Sequence, residues 1–439
     1  MKRVKSRAAA ALLLALALLF GMGAYVLRYA EEGENWVMFS ANENVYSEGT
    51  VILGSITDRH GVLLAHTQDG ERCYAADAAT RRACLHAVGD FEGNIGTGAV
   101  TVFAEEMTAY DPIAGLAAGG GRLALSIDAE LNRIAYEALD SRRGAVMLMN
   151  YETGEILCML STPSYDPVAG FDREDEAFEG AYLNRCLSAS YTPGSVFKLV
   201  TLAAAIETIP DLYERSFSCA GSKDVNGIAI KCTGWHGEQT IEQALANSCN
   251  CAFAQISLEL GPEVLADYAD RLGFCESHRV SGIETRAGSF EKAATLSADL
   301  AWSGIGQYTD LVNPYAMLRY VSAIANGGSV HEGVLLKGES SEQTELLSAD
   351  TADKIAQMMS YTVIYSYGAE NFPDLALCAK SGTAELGDGS SHAWFTGFLT
   401  DEAHPYAFCV VIEEGGSGLR NAGALANTLL QAAVGAETE

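Results

Sequence analysis

YTPGSVFKLVTLAAAIE, residues 191–207, places a Pro-Gly turn, a serine and, three positions on, a lysine at the head of an apolar run. Pro193-Gly194 turns the chain, and Ser195 then falls in the first helical turn. That end of a helix carries free N–H groups and a partial positive charge, which suit a developing oxyanion. Residues i and i+3 share a helix face, so Lys198 reaches the Ser195 hydroxyl. Leu199, Val200, Leu202 and the alanines after them predict a buried helix. A lysine buried at its head has a lowered pKa and can take a proton from a hydroxyl that attacks a carbonyl. A Ser-x-x-Lys tetrad recurs by chance in many chains as an ordinary helix start, so the case rests on its companions.

Two companions come later in the chain, in order. ANSCNCAF (246–253) holds Ser248-Cys249-Asn250, and CAKSGTAE (378–385) holds Lys380-Ser381-Gly382-Thr383 at the end of a predicted strand. Ser248 offers a second hydroxyl to shuttle a proton between Lys198 and a leaving amine, and Asn250 an amide to hold a substrate amide. Lys380 adds positive charge for a carboxylate, and Ser381 a hydroxyl. Gly382 lets an extended substrate lie against a sheet edge, where backbone pairing holds a peptide.

The pattern around these motifs predicts the fold. LALSIDAELNRIAYEALDSR opens as a strand, then Asp128 caps a helix with Leu131, Ile134, Ala135 and Ala138 on one face. GAVMLMNYETGEILCMLSTP reads as a hairpin turning at Glu152-Thr153-Gly154, and DREDEAFEG (172–180) as a solvated loop or short helix. NPYAMLRYVSAIANGG (313–328) is an apolar helix ended by Asn326-Gly327-Gly328. LALCAKSGTAE, HAWFTGFLT and PYAFCVVIEE read as three antiparallel strands, and AGALANTLLQAAV as a closing helix. Strands at both ends with helices between them predict an α/β (α+β) sandwich, an antiparallel sheet flanked by helices.

The N-terminus is of another kind. MKRVKSR carries four basic residues, and Ala8 to Leu27 carries no charge. Twenty apolar residues make about 30 Å of helix, one bilayer core. A cleavable signal peptide has a shorter apolar stretch and a small-x-small site, so an uncleaved anchor over 8–29 is expected. The basic flank, 1–7, is expected to stay in the cytoplasm, with the rest of the chain outside. A polar linker over 30–50 leads into VILGSITDRHGVLLAHT (51–67), which reads as two short strands around an Asp-Arg-His-Gly turn. AAGGGR (117–122) is the expected boundary of this small module.

Composition excludes other classes. The 439 residues carry a formal net charge of -29, which rules against binding a phosphate backbone. No His-Glu-x-x-His, Gly-x-Ser-x-Gly or Walker A motif occurs, and Gly93, Gly96 and Gly98 make no dinucleotide fingerprint. Of eight histidines, His392 stands beside Lys380 in the strand pattern and is expected to be structural, with Trp394 and Phe395 in the core. Eleven cysteines leave at least one unpaired in a monomer. A Cys219–Cys232 disulfide is the best candidate, closing a short loop and adding about 3 kcal/mol. A zinc site of Cys219, Cys232 and His236 lacks a fourth ligand, so neither metal nor cofactor is expected. Trp235-His236-Gly237 reads as a structural loop before the Ser-x-Asn helix.

The three motifs, with their flanks, resemble a known family. Ser-x-x-Lys, Ser-x-Asn and Lys-Ser-Gly stand in the order found in penicillin-binding proteins and class A β-lactamases. GAVMLMNYETGEILCMLSTPSYDP, LNRCLSASYTPGSVFKLVT, GIGQYTDLVNPYAMLRYVSAIANGG and HAWFTGF are more specific than the motifs, and GSITDRHGVLLA resembles the start of the family's N-terminal region. The chain resembles a class B penicillin-binding protein, a membrane-anchored peptidoglycan D,D-transpeptidase, best over 123–435. The resemblance implies a tail (1–7), an anchor (8–29), a small α+β module with linker (30–120) and a transpeptidase domain (121–439).

It also implies roles. Ser195 would be the acylated nucleophile, Lys198 its general base and Ser248 a proton relay. Asn250, Lys380, Ser381, Gly382 and Thr383 would bind substrate, and the backbone N–H groups of Ser195 and Thr383 would form the oxyanion hole. The donor would be a stem peptide ending in D-Ala-D-Ala, with β-lactams as covalent inhibitors and a polytopic membrane glycosyltransferase as partner. Cys249 inside the Ser-x-Asn and Ser381 for the commoner threonine depart from the pattern but keep the needed groups. The N-terminal module is short, and no glycosyltransferase domain fits the length. A D,D-carboxypeptidase and a serine β-lactamase share the motifs, though the deacylating glutamate of class A β-lactamases is not identifiable here. A non-catalytic scaffold or β-lactam sensor is the remaining reading. The intact motif side chains argue against the scaffold, and the lack of room for a signalling domain argues against the sensor.

Overall fold

The computed structural model describes residues 2–38, 42, 45–47, 50–51, 54–68, 71–111, 113–116 and 119–435. Residues 39–41, 43–44 and 48–49 of the expected linker, and Ala117-Ala118 of the expected boundary, lie outside these residues. Helix α1 (Lys2–Val37) starts in the basic flank and runs past residue 29, the expected end of the anchor. Its stretch Arg3–Gly33 is long and apolar enough to cross a membrane. Leu12, Leu16, Phe20 and Leu27 are exposed on it, so protein does not cover its apolar surface.

The N-terminal module centres on a four-stranded sheet. Strands β1 (Ser55–Thr57) and β2 (Leu63–Gln68) pair antiparallel around Asp58–Gly61, as the pattern predicts, and β3 (Glu71–Tyr74) adds antiparallel to β2. The fourth strand, β4 (Arg122–Ala124), starts on the last residue of the expected boundary and pairs parallel to β1. Asp58 then accepts the N–H of Ala129, at the start of the next helix. Backbone pairing and capping thus join the module to the C-terminal domain.

The main body is the expected sandwich. Strands β5 (Gly144–Asn150), β6 (Ile156–Thr162), β7 (Leu377–Glu385), β8 (Ser391–Leu399) and β9 (Tyr406–Ile412) form an antiparallel sheet in the order β7-β8-β9-β5-β6. Side chains alternate between faces along a strand. Val146, Leu148, Phe395, Phe408 and Val410 enter one core, and Met147, Met149, Trp394, Cys409 and Val411 the other. Burial on both faces explains why these strands read as continuous apolar runs rather than alternating ones.

Helices close both faces. Helix α2 (Ala129–Leu139) starts where Asp128 accepts the N–H groups of Glu130 and Leu131, as its sequence predicts. It buries Leu131, Ala135 and Leu139 on one face of the sheet, while Ile134 is only half-buried. Helices α3 (Lys198–Thr208), α4 (Asn250–Arg271), α5 (Pro314–Ala325) and α6 (Ala349–Thr362) form the other layer. The closing helix α7 (Ala424–Gly435) packs Leu425, Leu429 and Leu430 beside α2. This topology leaves β7 as a sheet edge, with the heads of α3 and α4 beside it.

Candidate active site

A single 3₁₀ turn, Gly194–Phe197, comes before α3, so Ser195 sits just ahead of the α-helix rather than within its first turn. Two glycines set the turn against β7. Gly194 has φ +57°, and a Cβ there would stand 2.9 Å from the Thr383 carbonyl oxygen. A Cβ on Gly382 would lie 2.9 Å from the Pro193 carbonyl oxygen. The expected reason for Gly382 therefore changes. Its missing side chain makes room for the Ser195 turn, whatever it does for an extended ligand. The Gly194 N–H also donates to the Gly306 carbonyl at 2.8 Å.

Lys198 is fully buried at the head of α3. Its Nζ lies 3.0 Å from Ser195 Oγ and 3.1 Å from Ser248 Oγ. It donates to the Ser248 carbonyl at 2.6 Å and to Asn250 Oδ1 at 2.7 Å. Burial pushes its pKa down to about 8, partly offset by nearby cysteines. The group therefore stands close to losing its proton near neutral pH, with the Ser195 hydroxyl in reach.

Ser248 bridges two lysines. Lys380, also fully buried, donates to Ser248 Oγ at 3.1 Å and to the Ser381 carbonyl at 2.7 Å. Burial first, and the charge of Lys198 second, hold Lys380 well below the ordinary lysine range. A carboxylate placed beside it would reverse that shift, because an opposite charge favours the ammonium form. Ser248 has a left-handed backbone, φ +50°, which aims its hydroxyl at both amines. Asn250 opens α4, and its Nδ2 donates to the Lys231 carbonyl at 2.9 Å.

The structure brings Ser195, Lys198, Ser248, Asn250 and Lys380 into one hydrogen-bonded group. Ser195, Ser248, Asn250, Ser381 and Thr383 line a cavity of about 500 Å³ along the edge strand β7. Three further residues carry no signal of their own in the sequence. Tyr367 accepts the Ser381 N–H at 2.7 Å and donates to Ser381 Oγ at 2.9 Å. Trp302 and Gln307 form part of the wall, and the Gln307 amide pairs with the Glu385 backbone at 3.2 and 3.3 Å. The GIGQYTDLVNP flank contains Gln307, but its spacing does not show that the loop folds back onto β7. His392 accepts the Glu414 N–H and packs edge-on against Tyr191, the expected structural use. Trp394 is buried and donates to the Thr192 carbonyl at 3.0 Å.

The cysteines differ from expectation. All eleven are free thiols, so no Cys219–Cys232 disulfide forms. Cys219, Cys232 and His236 also have the fourth partner that their spacing in the sequence does not show. Cys249, from the middle of the Ser-x-Asn, lies with them in a group whose ligand atoms are all within 4.8 Å.

Residues 144–431 match the penicillin binding protein transpeptidase domain. The chain belongs to that family. The peptidoglycan D,D-transpeptidase PbpA of Mycobacterium tuberculosis is 28% identical over 357 residues, 72% of each chain. The crystal structure of that organism's PBPA has a TM-score of 0.75 at 23% identity, covering 87% of this chain and 99% of the other. A ceftriaxone acyl-enzyme complex of the same M. tuberculosis protein has a TM-score of 0.72 at 23% identity, covering 87% and 98%. The transpeptidase-domain match spans every element that carries the lysine–serine group, from Ser195 to Thr383.

Proposed function

We propose that the protein is a serine D,D-transpeptidase that cross-links peptidoglycan stem peptides and is acylated by β-lactams. The observation that carries this reading is the buried Lys198 amine 3.0 Å from Ser195 Oγ, with its pKa brought down to about 8. Neutral Lys198 takes the Ser195 proton as Oγ attacks the carbonyl of the penultimate D-Ala. The oxyanion rests on the backbone N–H groups of Ser195 and Thr383. Ser248, bonded to both lysines, passes the proton on to the departing D-Ala amine. D-Ala leaves as the acyl-enzyme forms. An amine on a neighbouring stem then attacks the Ser195 ester and gives up its proton through Lys198, and Ser195 Oγ departs as the restored hydroxyl.

Substrate binding follows from the edge strand. The stem peptide lies along β7 and the cavity beside it, with its terminal carboxylate toward Lys380, Ser381 and Thr383 and an amide on Asn250. Tyr367 holds Ser381 by its N–H and its hydroxyl, which fixes this point of the edge strand. Residues 8–29 of α1 hold the protein in the membrane, with the basic tail in the cytoplasm and the module and transpeptidase domain outside. A polytopic glycosyltransferase that makes the glycan strands is the proposed membrane partner.

The reading is tested by turnover of a synthetic donor ending in D-Ala-D-Ala with a D-amino acid as acceptor. The expected result is the exchange product, the donor peptide with its terminal D-Ala replaced by the D-amino acid, in excess of hydrolysis and lost in Ser195→Ala. Hydrolysis alone would make the protein a D,D-carboxypeptidase. No turnover, with no β-lactam adduct, would leave a scaffold.

A further inference from the structure

Behind the Ser-x-Asn turn lie four groups that the proposed reaction does not use. Cys219 ends the strand Phe217–Cys219, and Cys232 follows the strand Ile228–Lys231. His236 precedes the strand Gly237–Gln239, which pairs with Phe217–Cys219, and Cys249 is the residue before α4. Cys219 and Cys249 are buried, and Cys232 and His236 are half-buried. Three chain segments therefore bring three sulfurs and one imidazole to a common point.

The spacing fits a tetrahedron. His236 Nδ1 lies 3.5 Å from Cys219 Sγ and 3.6 Å from Cys232 Sγ. Cys232 Sγ lies 3.8 Å from Cys249 Sγ. With Zn–S bonds of about 2.3 Å and Zn–N bonds of about 2.0 Å, tetrahedral edges are about 3.8 Å for S···S and about 3.5 Å for S···N. A disulfide needs sulfurs at about 2.05 Å, far shorter than the Cys232–Cys249 separation. The Asn250 N–H donates to Cys232 Sγ at 3.3 Å, the backbone support that a metal-bound thiolate takes from its outer shell.

We propose that Cys219, Cys232, His236 and Cys249 bind one Zn²⁺ in a closed structural site. Three thiolates and one imidazole in a tetrahedron select zinc over the hard cations, which prefer oxygen. Four protein ligands leave no open position, so the ion does not take part in the acyl transfer. On binding, the three thiols release their protons to solvent. The site joins two parts of the active-site wall. Ala229, Lys231 and Thr233 line the cavity from one side of the metal. Ser248 and Asn250 flank the ligand Cys249 on the other. Zinc thereby fixes the left-handed Ser248 turn against the 228–231 strand and so positions Ser248 and Asn250 around Lys198. The metal site does not depend on which acyl acceptor the enzyme uses.

The test uses the full-length protein, solubilised in detergent and purified with a reductant and without chelator. Elemental analysis should find one zinc per chain. Replacing zinc with Co²⁺ should give the strong visible bands of a tetrahedral thiolate centre. Cys232→Ser and His236→Ala should each lose the metal or shift the cobalt bands, while Cys275→Ser, outside the group, keeps both. In the wild type, chelation should lower the Tm and slow penicillin labelling, and Zn²⁺ but not Mg²⁺ should restore both. This arm holds even where a cysteine variant fails to fold. The proposal is overturned by absence of zinc and of cobalt bands with all thiols free. It is equally overturned by a disulfide among the three cysteines, or by metal retained in both Cys232→Ser and His236→Ala. Penicillin labelling unchanged on loss of zinc would overturn the positioning role.

Discussion

At the residue scale the account turns on one amine. Lys198 is lowered to about 8 by burial, and only its neutral form accepts the Ser195 proton. Below that value the neutral fraction falls about tenfold per pH unit, so the acylation rate constant should climb from pH 6 and level off above about 8. Stopped-flow acylation by a chromogenic cephalosporin across this range checks it, and a flat profile would move the base elsewhere. Lys198→Arg keeps the charge but cannot lose it, so it should cut acylation by at least about 100-fold at every pH. Ser195, Lys198, Ser248 and Lys380 are legible in the sequence because each belongs to a short motif whose local spacing carries its chemistry. Tyr367, Trp302, Gln307 and the Cys249–His236 approach are not. Their meaning comes from segments far apart in the chain, and local pattern holds no record of that meeting.

At the element scale the Ser195 turn and strand β7 act as one piece. Gly194→Ala would put a Cβ against Thr383 and hold an L-residue at φ +57°. The strain costs about 1–3 kcal/mol and moves the nucleophile, so acylation should fall about 100-fold while the protein still folds. Gly382→Ala should do the same by pushing Pro193 away, with a smaller loss of stability because its backbone is unstrained. Circular dichroism melts beside labelling rates check both variants, and unchanged labelling would show that the turn has room to move. The strands themselves are readable as apolar runs, and Asp128 as the cap of α2. The sheet order is not. β5 sits between β9 and β6, and its pairing with β9 joins segments hundreds of residues apart, which periodicity alone does not encode. The 3₁₀ turn before α3 reads as α-helix in the sequence because the two share the same start signals.

At the scale of the whole molecule the N-terminal module is bound to the transpeptidase domain. Arg81 pairs with Asp166 through two bonds of 2.7 Å, and both side chains are largely buried. The Arg81 guanidinium holds the Asp166 carboxyl below its ordinary value. That contribution is present above the unfolded carboxylate pKa of about 4 and is lost as pH falls through the lower folded value. Asp166→Ala leaves the guanidinium unpaired and should cost about 3 kcal/mol, whereas the Arg81→Ala, Asp166→Ala double variant should cost less than the sum of the two. Thermal melts of the four proteins at pH 7 and at about pH 2, below the unfolded carboxylate value, check this, with the smallest differences expected at the lower pH. Strand β4 adds to the union, since it starts on the last residue of the expected boundary and completes the module's sheet. A boundary drawn from glycine content misses such a strand because glycines mark a change of direction, not the end of pairing.

The central claim is that Ser195, activated by Lys198, forms a covalent acyl-enzyme. The most direct measurement is mass spectrometry of the full-length protein after brief exposure to penicillin G, followed by mapping of the modified peptide. The account predicts one intact penicillin per chain on the peptide that carries Ser195, absent in a Ser195→Ala protein with an unchanged melting temperature. An adduct on another residue, an adduct that survives Ser195→Ala, or penicillin consumed without any adduct would contradict it.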